Sequence, residues 1–180
     1  MSSEIISLKP FKHAPSIEIS TWYKGILSTL LATGEDTGGA FDLVLSNMRS
    51  GTEPPPHVHT REHEFFYVLD GKLDVYVGDN VFQVGPGECA FLPLGRPHAF
   101  IIRSSEIRML ALITPSGGFM KSIALMAAPA EKMEIPSDSV TYATADLEET
   151  MKMFLKHGVR FLSPEEIADE MQAFPSRSAA

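Results

Sequence analysis

The run Gly51 to Gly71 reads GTEPPPHVHTREHEFFYVLDG, and Gly87 to Phe100 reads GECAFLPLGRPHAF. Together they supply His57, His59, Glu64 and His98, the imidazole and carboxylate donors that divalent transition metals take up. In an extended chain residues two apart share a face, so His57 and His59 present their rings side by side. Glu64 opens the apolar run that ends at Leu69. His98 follows the turn residues Pro93, Gly95 and Pro97 and opens the run to Ile102. Donors on different strands converge when the strands roll up, so the spacing predicts a site inside a β-barrel. The same parity turns His63, next to Glu64, to the opposite face and removes it from the set. An HxH pair by itself is most often two ordinary surface or core histidines. Here it follows Pro54-Pro55-Pro56, precedes the strand of Glu64, and has a third histidine after a second Gly/Pro turn. Such a set suits one divalent ion of Fe, Ni, Co, Mn, Cu or Zn, and leaves one or two coordination positions for water or substrate.

The elements that must position these groups are short apolar runs punctuated by turns. Strands are expected over Ile26–Ala32, Phe41–Met48, Glu64–Leu69, Lys72–Val77, Val81–Val84, Glu88–Leu92, His98–Ile102 and Ile107–Ile113. Asp70-Gly71, Gly78-Asp79-Asn80 and Gly85-Pro86-Gly87 read as hairpin turns. This spacing predicts an all-β fold, an antiparallel barrel or jelly roll over residues 25–114. Residues 1–24, broken by Pro10 and Pro15, read as an N-terminal arm or edge strand. Residues 115–180 read as a short C-terminal helical extension packed on the barrel. Its helices are Phe119 to Met126, one opened by Asp146 with Leu147, Met151, Phe154 and Leu155 as its apolar face, and one opened by the capping box Ser163 to Glu166.

Composition narrows the function classes. A chain of 180 residues with 44% hydrophobic and 21% charged residues fits one globular domain. The net charge of −8 and the absence of Lys/Arg clusters argue against nucleic acid as a partner. No apolar stretch approaches transmembrane length, so no membrane partner is expected. The single cysteine, Cys89, cannot form an internal disulfide and reads as a small buried hydrophobe. With an N-terminus lacking a basic start and apolar core, this predicts a cytoplasmic protein.

The two runs resemble the signature motifs of the cupin superfamily. The first motif takes Gly, five residues, HxH, three or four residues, Glu, six residues and Gly, and Gly51, His57, His59, Glu64 and Gly71 fit it throughout. The second is fitted by Gly87, Pro93, Gly95 and His98, with Ile102 standing where the pattern has Asn. That Asn is not a metal ligand in the family, so the resemblance leaves the ligand set intact. The PPPHVH and FYVLDG wording, the FLPLGRPHAF run and the Gly117-Gly118-Phe119 turn are similar to those of quercetinase-like, single-domain cupins.

This resemblance implies a metal-dependent dioxygenase that uses O2 to open a flavonol-like or other enolisable aromatic substrate. His57, His59 and His98 would hold the metal, and Glu64 would serve both as ligand and as the base for an acidic hydroxyl. Candidate pocket walls are Met48, Phe66, Val68, Phe100, Ile102 and Met109. Two other readings stand beside it: a small-molecule-binding cupin without redox chemistry, and a metal-dependent lyase or isomerase. Cupin barrels commonly pair through sheet edges and exchanged arms, which implies a homodimer.

Overall fold

The computed structural model describes residues 8–138, 140 and 146–175. In chain order the strands begin with β1 (Ser20–Tyr23), β2 (Ile26–Ala32), β3 (Asp42–Arg49), β4 (His57–His59) and β5 (His63–Asp70). They continue with β6 (Leu73–Val77), β7 (Asn80–Val84), β8 (Cys89–Leu92), β9 (His98–Ile102) and β10 (Glu106–Thr114). The C-terminal part holds α1 (Gly118–Met126), β11 (Ala128–Pro129), α2 (Leu147–Lys156), β12 (Val159–Phe161) and α3 (Pro164–Glu170). The eight strands expected between residues 26 and 113 are all present, each within one residue of its expected bounds.

Two antiparallel sheets face each other as a jelly roll. One runs β11-β1-β2-β3-β10-β5-β8 and the other β12-β4-β9-β6-β7. Among the described residues no pairing joins the two, so the roll is a pair of facing sheets rather than a continuously hydrogen-bonded barrel. Period-two alternation builds the space between them. On β5, Glu64, Phe66 and Val68 are buried while Tyr67 is exposed. On β10, Ile107, Met109, Ala111 and Ile113 are buried toward the same interior. The β5–β6 turn needs Gly71. Its φ of 84° is unfavourable for other residues, and a Cβ there would lie 2.5 Å from the Glu106 carbonyl oxygen.

The flanking segments are woven into the sheets. Residues 1–7 of the expected arm lie outside the described residues, but β1 pairs with β2 along its whole length, so the 24/25 division falls inside a hairpin. At the other end β12 pairs antiparallel with β4, placing Val159 opposite His59 and Phe161 opposite His57. Val58, between the two histidines, points the other way into a cluster with Tyr76, Ala99, Leu162 and Met171. The segment around α3 therefore covers the outer face of the strand that carries HxH.

Two expectations are corrected. Cys89 is exposed on β8, because its parity follows the outward Tyr67 with which it pairs. On α2, Leu147, Met151 and Leu155 are exposed. Of the expected face only Phe154 is buried; the helix docks through it and Thr150, with Met153 packed against the core, and Phe154 meets the rings of Phe119 and Phe161.

Candidate metal centre

Three elements and one turn aim the donors at a common point. The Pro54–Pro56 run delivers the chain into β4 already extended. His57 then sits opposite His98 across the β4–β9 pair. Glu64 arrives from the facing sheet. One donor atom from each of His57, His59, Glu64 and His98 lies within 4.8 Å of every other, and all four residues are buried. His57 Nε2 and His98 Nε2 are 3.2 Å apart, and Glu64 Oε2 is 3.5 Å from His98 Nε2.

The rings are oriented from behind. His57 Nδ1 bonds the Pro55 carbonyl at 2.9 Å, and His98 Nδ1 bonds the Arg96 carbonyl at 3.0 Å. A carbonyl oxygen only accepts, so each Nδ1 carries the proton and each Nε2 is left with its lone pair toward the cluster. The same geometry arises twice because each ring folds back on the carbonyl two residues upstream, held by Pro54–Pro56 in one case and the Pro93–Pro97 turn in the other. His59 differs: its Nδ1 faces Glu62 Oε2 at 3.1 Å.

His59 Nε2 is the one described side-chain polar atom that is buried without any partner. Leaving such an atom unpaired costs about 1–3 kcal/mol, and here it belongs to a residue grouped with three other donor residues. Ligands roughly 2.0–2.2 Å from a shared ion stand at most about 4.4 Å apart when trans, so an ion with its most separated donors trans needs a contraction of only a few tenths of an ångström. The donor set and the orphaned nitrogen both fit a divalent transition ion. Burial, and secondarily the neighbouring His98 and His59 rings, push the His57 imidazole well below its ordinary value. That keeps it neutral, the form that binds metal.

The cluster opens into a cavity of about 60 Å3, where one water needs about 10–15 Å3 by the same measure. Met48, Phe66, Phe100 and Met109 line it as expected. Val68 and Ile102 do not: both have inward parity and share the core cluster with those four, but neither borders the cavity. Tyr23, Phe119, Met120 and Ile123 also line the wall, and the last three lie outside the expected set. Phe119 lies over the imidazoles, with its ring stacked on His57 at 6.4 Å between centroids. His63 faces away as parity predicts, accepting from the Leu94 amide and stacking on Phe91. Glu62 was also unforeseen; the only signal for it is an acid three residues beyond a ligand histidine.

Comparison with known proteins agrees with this fold. Residues 44–114 match the family model described as Cupin domain. Over 110 residues the chain is 31% identical to the Quercetin 2,3-dioxygenase of Bacillus subtilis (strain 168), covering 61% of this chain and 32% of the relative. The chain thus spans about a third of the curated relative it matches. Among solved structures, the Streptomyces protein Pac13, described as a nucleoside dehydratase, superposes with a TM-score of 0.50 at 15% identity, over 61% of this chain and 88% of Pac13. KdgF from Halomonas sp. superposes with a TM-score of 0.49 at 20% identity, over 54% and 87% of the two chains. At its identity Pac13 speaks to fold alone. Residues 44–114 are thus similar to a cupin domain, and the chain is related in sequence to a quercetinase over 110 residues.

Proposed function

We propose that this protein is a metal-dependent dioxygenase acting on a flavonol-like or other enolisable aromatic substrate, with His57, His59, His98 and Glu64 as the metal ligands. The observation that carries the metal reading is the partnerless His59 Nε2, buried among three other donors. The reaction class is supported by the relative named Quercetin 2,3-dioxygenase. A bound transition ion would supply Lewis acidity toward an enolate oxygen and an electron path to O2.

The chain's own residues supply the rest. Glu64 takes the proton from the substrate's acidic hydroxyl at its carboxylate oxygen. Met48, Phe66, Phe100 and Met109 hold the aromatic body by apolar contact, and Phe119 with Met120 and Ile123 closes the roof against water. Glu64→Gln tests this assignment. Oxygen uptake with quercetin should fall at least 100-fold, while metal content after loading with Fe, Ni, Co, Mn or Cu stays near that of the unaltered protein. Normal turnover by the variant would reject Glu64 as the base.

A second reading rests on the size of the cavity, about 60 Å3, room for about four to six waters on the scale above. A smaller ligand fits it without rearrangement, as in a metal-dependent lyase or isomerase or a binding cupin without redox chemistry. Anaerobic product formation would select the lyase or isomerase; tight binding without oxygen uptake would select the binding protein. A homodimer is part of the proposal. Tyr67, Leu69 and Phe91 form an exposed apolar patch on β5 and β8, at one edge of the larger sheet. Light scattering should give about twice the chain mass of 19.7 kDa, and a mass near 20 kDa would reject the dimer.

A further inference from the structure

Glu62 is a carboxylate outside the ligand set, yet it is 2% exposed and touches two parts of the site at once. Its Oε2 faces His59 Nδ1 at 3.1 Å. Its Oε1 accepts from the Gly118 amide at 2.5 Å and the Phe119 amide at 3.2 Å, and Phe119 N–H is also 3.2 Å from Oε2. Those amides begin α1, the helix whose Phe119, Met120 and Ile123 form the cavity roof. The approach is close enough to require a glycine: a Cβ on Gly118 would lie 2.1 Å from the His157 carbonyl oxygen and 3.0 Å from Glu62 Oε1.

The geometry points to Glu62 as a positioning residue that fixes the coordinating tautomer of His59 and ties that ligand to the roof helix. Resting on the metal reading above, it follows from donor bookkeeping. The two backbone amides can only donate, so the carboxylate acting purely as an acceptor satisfies all its neighbours when His59 Nδ1 donates as well. The proton then sits on Nδ1, and Nε2 is the free lone pair. His57 and His98 reach the same tautomer through backbone carbonyls, which no substitution removes. His59 alone depends on a side chain, and that side chain also holds α1. Displacing His59 therefore loosens the roof, and lifting the roof frees the ligand.

Glu62→Gln separates the two roles. The amide oxygen can still accept from Gly118 and Phe119, but the NH2 group then faces His59 Nδ1. That nitrogen must accept, its proton moves to Nε2, and the ligand lone pair is lost. Outer partners of this kind are worth about 10–100-fold in metal affinity. In the full chain, Co(II) or Zn(II) competition against a chelator should show a loss of about that size for Glu62→Gln, with a thermal midpoint close to that of the unaltered protein. Imidazole nitrogen NMR of the metal-free proteins should show His59 protonated at Nδ1 in the unaltered chain and at Nε2 in the variant. Glu62→Ala should add fast hydrogen exchange at the Gly118 and Phe119 amides. Unchanged affinity and tautomer in Glu62→Gln would overturn the role of Glu62. So would an Nε2-protonated His59 in the unaltered chain, a result that needs no variant to fold. An unaltered protein that binds no metal would instead overturn the metal reading itself, and the titration distinguishes the two failures.

Discussion

Truncation of Phe154 asks whether the C-terminal segment is an integral part of the jelly roll. Phe154 is 4% exposed and is the one large side chain that α2 buries. It contacts Phe119 with ring centroids 5.9 Å apart and Phe161 at 5.3 Å in an edge-on arrangement. Burying an aromatic side chain removes roughly 150–250 Å2 from water. At about 25 cal/mol per Å2 this is worth roughly 4–6 kcal/mol as an upper bound. Measured Phe→Ala substitutions in cores cost about 3–5 kcal/mol. Phe154→Ala should therefore lower unfolding stability by about 3–5 kcal/mol, which at this chain length is about 6–20 °C in Tm. Leu155→Ala, on the next residue but 58% exposed, should stay within about 0.5 kcal/mol. Urea unfolding followed by the single tryptophan, Trp22 on β1, reads both variants from a position far along the chain from either substitution. Equal effects of the two substitutions would refute the docking of α2 through Phe154. A normal midpoint for Phe154→Ala with early proteolysis near α2 would show that the segment unfolds apart from the roll.

Stripping the protein of metal with a chelator should lower its thermal midpoint, and re-adding ion at 100 times its Kd should restore about 2.7 kcal/mol; a midpoint indifferent to metal would count against the centre. In the metal-free protein the folded His57 resists protonation, so below the ordinary value near 6.5 the unfolded chain takes up a proton that the native state refuses. Stability should then fall with falling pH, by up to about 1.4 kcal/mol per unit, and flat urea midpoints from pH 7 to 5 would refute this. Gly71→Ala combines a left-handed φ with a Cβ 2.5 Å from the Glu106 carbonyl oxygen. It should cost about 1–3 kcal/mol, and a loss below about 0.5 kcal/mol in urea unfolding would show that the β5–β6 turn adjusts freely. Cys89 should react with a thiol reagent in the native protein at nearly the rate of the unfolded chain; complete protection would contradict its exposure on β8.

What the sequence made legible, and what it hid, divides along a physical line. Parity needs only the next residue but one, so it separated Glu64 from His63 and paired His57 with His59. Turn chemistry is equally local, and the strand bounds from Ile26 to Thr114 followed from it. Parity cannot tell depth. All six expected wall residues sit in the core, yet Met48, Phe66, Phe100 and Met109 reach the cavity while Val68 and Ile102 do not. Helical periodicity has a related blind spot. It names four apolar residues on α2, but only Phe154 of them meets the rings of Phe119 and Phe161, and Leu147, Met151 and Leu155 stay exposed.

The remaining omissions share one cause: they involve pairings between residues far apart in the chain. β12 is three residues long, too short for its alternation to announce a strand, and it exists because β4 offers an edge to pair with. Glu62 shows no pattern at all until the Gly118 and Phe119 amides, more than fifty residues away, are brought against it. Metal ligands are written into local motifs because each donor's direction is set by its own strand. The groups that orient those ligands and close the roof come from wherever the chain returns, so they are fixed by topology, and only the folded molecule discloses them.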